Sequence, residues 1–153
     1  MRRAWLIPML LGAAGTALAA DISVQGDWAP QPSAQDLVDS AGNPPVSQVE
    51  SAAAVTTLTI SNAENSRWQV WVARDNDSTW PDHLDVEVRY SGSDGSLGGT
   101  SYMTLGPSLQ PFIEGAGNRG DIEIQVRIVG LALAHRRGTH ALDIVYKVVV
   151  LPS

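Results

Sequence analysis

Alternation of apolar and polar residues dominates the last third of the chain. Ile122, Ile124, Val126 and Ile128 fall on one side of an extended backbone, and Glu123, Gln125 and Arg127 on the other. The same period of two returns at Leu142, Ile144, Tyr146, Val148 and Val150, with Asp143 and Lys147 facing away. That period predicts two strands of antiparallel sheet, each with one buried and one wet face. Burying an Ile, Val or Leu contributes about 1.5–3 kcal/mol per side chain, so these positions predict a large part of a core.

Upstream the pattern repeats. Leu84, Val86, Val88 and Tyr90 alternate with Asp85, Glu87 and Arg89, and Trp68, Val70 and Val72 alternate with Gln69 and Trp71. Residues 55–61 are β-branched and strand-like. Ile22, Val24 and Trp28 make a short N-terminal strand that runs into Pro30. Residues 101–105 and 109–113 are weaker strands, interrupted by Gly106, Pro107 and Pro111, which suits an edge position. The Gly-rich residues 91–99 and residues 115–120 read as turns, and residues 30–54, rich in Pro, Ala and Ser, read as a wandering connection. About seven or eight short strands with regular turn signals and no helical period predict an all-β, immunoglobulin-like antiparallel β-sandwich.

The N-terminus adds a location. Arg2 and Arg3 precede an apolar run through Ala14, and Ala17-Leu18-Ala19 fits a small-x-small cleavage site. Residues 1–19 therefore read as a secretory signal peptide, too short in its apolar part for a membrane anchor. Residues 20–153 form a single domain, exported to the periplasm, cell surface or extracellular space, with no transmembrane segment expected in the mature chain. The absence of cysteine fits, because a domain of this length buries enough surface to fold without staples. Without Arg2 and Arg3 the 10 basic residues fall to eight against 16 acidic ones, a net charge of −8. Such a surface repels nucleic acid.

The residues give no catalytic set. No serine stands in a Gly-x-Ser-x-Gly elbow, and Gly92, Gly95, Gly98 and Gly99 lack the strand-to-helix context of a phosphate cradle. His83, His135 and His140 have no acidic or cysteine partner at metal-binding spacing. Asp75, Asn76, Asp77, Ser78 and Thr79, with Asp82 and Asp85, resemble a calcium loop only in part. Trp80 stands where the tight-turn glycine belongs and Val86 where the bidentate glutamate belongs, so a solvated acidic loop is expected. No enzyme activity, metal or cofactor is expected. Trp71, outward on its strand, and Trp80, in a loop, are candidates for stacking on a sugar ring, or Trp71 is covered by the Pro-rich connection.

Three stretches, DISVQGDWAP, DLVDSAGNPPV and RGTHALDIVYKVVVL, resemble the pilin subunits of chaperone–usher fimbriae, most nearly the cysteine-free α-type pilins. His140 departs from the family's usual aromatic at that point. The resemblance implies an incomplete sandwich that a neighbour's N-terminal strand completes, with Ile22, Val24 and Trp28 as donor side chains. It also implies an acceptor groove lined in part by residues 122–128 and 142–150. The physics is strand addition, and because head-to-tail insertion does not close, it builds fibres. The expected function is thus a structural or adhesive surface subunit, associating with itself or with other surface subunits. The alternatives are a complete monomer whose residues 21–28 pair in cis with the C-terminal strand, and a secreted carbohydrate-binding module.

Overall fold

A computed structural model of the chain describes residues 19–30, 47–75, 80–131 and 140–153. The expected signal peptide through residue 18, most of the Pro-rich connection, residues 76–79 of the acidic loop and His135 lie outside the described residues.

The described residues form strands β1 (Asp21–Gln25), β2 (Gln48–Glu50), β3 (Thr56–Ser61), β4 (Arg67–Arg74), β5 (Asp85–Tyr90), β6 (Met103–Thr104), β7 (Gln110–Ala116), β8 (Arg119–Val129) and β9 (Ile144–Val150). One antiparallel sheet has the order β1-β3-β8-β5-β6, and β2 pairs with the far half of β8, continuing the row begun by β3. The second sheet has the order β7-β4-β9. The all-β sandwich expected from the alternation is the architecture found.

The inward rows are the ones the sequence marks. Trp68, Val70, Val72, Val86, Val88, Tyr90, Ile122, Ile124 and Val126 are buried, joined by Leu58 and Ile60 of β3 and Phe112 and Ile113 of β7. Trp68, fully buried, is the largest of these, and its indole Nε1 donates to the Gly117 carbonyl at 2.7 Å. A Cβ at Gly115 would stand 2.6 Å from that indole. Gly115 is therefore a strand residue chosen for its missing side chain, and the expected turn over residues 115–120 contracts to Gly117 and Asn118 between β7 and β8. Gly117 supplies the positive φ of 68° that this turn requires.

Strand β2 falls within the expected irregular connection. Its hold is polar: buried Gln125 donates through Nε2 to the Ser51 carbonyl at 2.7 Å and to Glu50 Oε1 at 2.8 Å, and Ser51 Oγ accepts from the Val126 amide at 3.0 Å. A 3-10 turn at Gly95–Leu97 inserts Leu97 into the core from the Gly-rich region.

Candidate assembly edge

The N-terminal strand is seated at the margin of the larger sheet. β1 runs antiparallel to β3, with Ile22 opposite Ile60 and Val24 opposite Leu58. The Asn62 side-chain amide donates to the Asp21 carboxylate. Ile22, Val24 and Trp28 all pack, half-buried, against the core cluster. The three predicted donor residues thus share one apolar surface. Pairing in cis with the C-terminal strand is not what occurs: the ladder partner is β3, and β9 lies near β1 across the seam between the sheets.

The predicted acceptor splits in two. β8 is paired on both sides, so residues 122–128 supply floor and not edge. β9 pairs with β4 through seven consecutive partners, Trp68 with Val150 to Arg74 with Ile144, and its other side has no strand partner among the described residues. The hydrogen-bond phase says which groups face that open side. The Leu151 amide donates to the Arg67 carbonyl at 2.9 Å, and the Asp75 amide donates to the Asp143 carbonyl at 2.7 Å. In an antiparallel ladder bonded pairs alternate, so odd residues of β9 bond to β4 and the amides of Ile144, Tyr146, Val148 and Val150 point outward along the edge. Those same residues send their side chains inward, where Ile144, Tyr146 and Val148 pack only partly buried against the core. Outward amides thus run beside a partly buried apolar row, on an edge with no strand partner among the described residues.

Two of the other edges are blunted. β6 has two residues, and β7 carries Pro111 and a register shift opposite Val70 and Trp71. Proline, bulges and short length are the usual ways of discouraging edge pairing. On β9 the corresponding device is one outward charge, Lys147, flanked by Val149 and by Val145, which is 45% exposed.

Trp71 and Trp80 do not form one platform. Trp80 packs against the core, and its Nε1 donates to the Leu84 carbonyl at 2.8 Å. Trp71 faces the opposite way, on the outside of β4 between Pro111 and Lys147, and is half-buried. Its Nε1 is buried with no hydrogen-bond partner among the described residues.

Several charged groups elsewhere pair with one another. On the outer face of the larger sheet, Arg127 bonds Glu87, and Arg89 donates to Gln125 Oε1 at 2.9 and 2.6 Å. Both guanidinium groups stack on the Tyr102 ring, at 3.9 Å for Arg127 and 4.9 Å for Arg89. Burial, and then the Glu50 charge, push the Tyr102 phenol up to about 12. Asp94 accepts from Ser96 and pairs with Arg119, which pulls its carboxyl down to about 2. Asp75 and Asp143 line one cleft with Ala141 and Leu142, and among the described residues no group of three or more metal-ligating side chains converges. No described helix is long and apolar enough to cross a membrane.

Fold and edge together define an antiparallel β-sandwich whose N-terminal strand lies at one margin of the larger sheet and whose strand β9 has no second strand partner among the described residues. No family model, no curated protein and no solved structure matches the chain.

Proposed function

We propose that this chain is an exported, non-enzymatic subunit of a surface structure, structural or adhesive, that assembles by giving its N-terminal strand β1 to a neighbouring copy. The observation that carries the reading is the edge of β9, which has no second strand partner among the described residues. Its outward amides and half-buried row of Ile144, Tyr146 and Val148 are complementary to a strand with apolar residues on one side. β1 is such a strand, with Ile22 and Val24 on its apolar side and exposed Ser23 and Gln25 on the other. Backbone pairing supplies affinity, and the alternate side chains supply register. The resemblance of DISVQGDWAP and RGTHALDIVYKVVVL to pilin segments points the same way.

Removing residues 21–28 and measuring molar mass by light scattering tests this. Concentration-dependent association of the full protein and a non-associating truncated protein are expected. Two stable monomers would end the strand-donor reading.

A second reading, a carbohydrate-binding module, has one observation in its favour: Trp71 stands on the outer face of the smaller sheet beside Pro111 and exposed Val145. Tryptophan fluorescence titrated with a broad glycan panel tests it. A response abolished by W71A supports it, and a flat response removes it.

A further inference from the structure

We infer that the outer face of the smaller sheet binds an acidic oligosaccharide, with sugar rings on Trp71 and carboxylates or sulfates on Lys147 and Arg67. This rests on the carbohydrate reading of Trp71, names its ligand class, and is independent of strand donation. The outward residues of β4 include Arg67, Gln69 and Trp71, and their neighbours on β9 are Lys147, opposite Trp71, and Val149, opposite Gln69. Arg67 and Lys147 are exposed, as are Val145 and Pro111, which stands beside Trp71 on β7. One sheet face thus holds an aromatic ring, apolar side chains and two cations.

A contrast with the other sheet selects the ligand's charge. On the larger sheet Arg89 and Arg127 are engaged by Gln125 and Glu87, and both cover the Tyr102 ring. Among the described residues Arg67 and Lys147 have no ion pair, and no cation stacks on Trp71. The chain has 10 basic and 16 acidic residues, so two cations kept apart from its own acids mark a place for an outside anion.

Spacing sets the ligand's length. Lys147 stands directly across the strand pair from Trp71, whereas Arg67 lies about 13 Å away along β4. One sugar cannot reach both, so a chain of several is required. The indole Nε1 is buried, so Trp71 offers an apolar ring and not its N–H. Glu114, exposed on β7 opposite Gln69, accepts from hydroxyl groups and turns the ligand's own acids toward Lys147 and Arg67.

Isothermal titration calorimetry compares hexagalacturonate, a heparin hexasaccharide, fully methyl-esterified hexagalacturonate and polyglutamate. At least one acidic sugar is expected to bind, and the esterified chain to bind roughly tenfold or more weakly. K147Q and R67Q are each expected to weaken acidic-sugar binding about fivefold, the scale of one exposed ion pair, without affecting the esterified chain. W71A is expected to abolish binding, and W71F, which keeps an aromatic face, to retain part of it. Circular dichroism reports that each variant is folded. Equal affinity for acidic and esterified chains, or K147Q and R67Q proteins that bind as the parent does, overturns the charge assignment while a carbohydrate site stands. Polyglutamate bound as tightly as the sugars overturns the oligosaccharide in favour of plain charge attraction. No heat with any sugar removes this inference and the carbohydrate reading together.

Discussion

Proline scanning of β9 tests the acceptor edge directly, because the two faces of that strand's backbone predict opposite outcomes at adjacent residues. Val149 lies opposite Gln69 in the bonded phase of the β4–β9 ladder. V149P removes an amide that β4 uses and leaves the Gln69 carbonyl without its partner, a loss of about 1–3 kcal/mol before any strain from the ring. At about 3–5 °C per kcal/mol for a domain of this size, Tm falls by roughly 3–15 °C. Val148 lies opposite Val70 in the unbonded phase, so its amide makes no bond to β4. V148P therefore preserves the ladder, and proline is tolerated on the solvent side of an edge strand. Its Tm is expected to fall by less than about 5 °C. Its effect is on assembly: the missing donor and the ring both obstruct an incoming strand, so association of V148P is expected to be lost. Thermal denaturation by circular dichroism gives the first readout and light scattering the second. Equal destabilisation of the two variants would refute the assigned phase, and a V148P protein that associates like the parent would refute β9 as acceptor.

Other outcomes follow from the same structure. G115A places a methyl group against the buried Trp68 ring and is expected to cost about 1–3 kcal/mol, whereas G120A, whose Cβ meets nothing within 4 Å, is expected to be neutral; urea denaturation compares them. Q125L leaves the Ser51 carbonyl unbonded and frees Arg89, so a loss of about 1–3 kcal/mol is expected, with faster hydrogen exchange at β2 as the local readout. For Asp94 the folded carboxyl lies at about 2, below its value in the unfolded chain, so its stabilising contribution is present above that ordinary value and is lost as pH falls toward 2. The Tm difference between the parent and D94N is expected to be steady above about pH 5 and to shrink toward pH 2; a difference that does not change with pH would contradict the Asp94–Arg119 pairing.

Much of the sandwich is legible in the sequence because its inward rows are purely apolar. Val86, Val88 and Tyr90, or Ile122, Ile124 and Val126, announce both their strand and their buried side. What the pattern hides are the features made by single residues or by distant partners. β2 has one apolar residue, Val49, and is held by Gln125, some 75 positions away in sequence, through polar bonds that have no period. Gly115 looks like a turn residue until Trp68 is placed against it. For the site, the alternation of Ile22 and Val24 marks a strand with an apolar side, but its partner is a matter of tertiary pairing that local pattern does not encode. Likewise Trp71 and Trp80 are equivalent as loop and outward aromatics in the sequence, and only the Trp80 bond to Leu84 divides them.

The most direct measurement of strand donation mixes two single-cysteine proteins, S23C at the centre of β1 and K147C at the centre of β9, under mild oxidation. Mass spectrometry of the products is predicted to find disulfides joining residue 23 of one copy to residue 147 of another. A partner carrying S108C, beside the blunted β7 edge, is predicted to give none. Crosslinks no more frequent to residue 147 than to residue 108 would contradict a β1 strand that passes between subunits to the edge of β9.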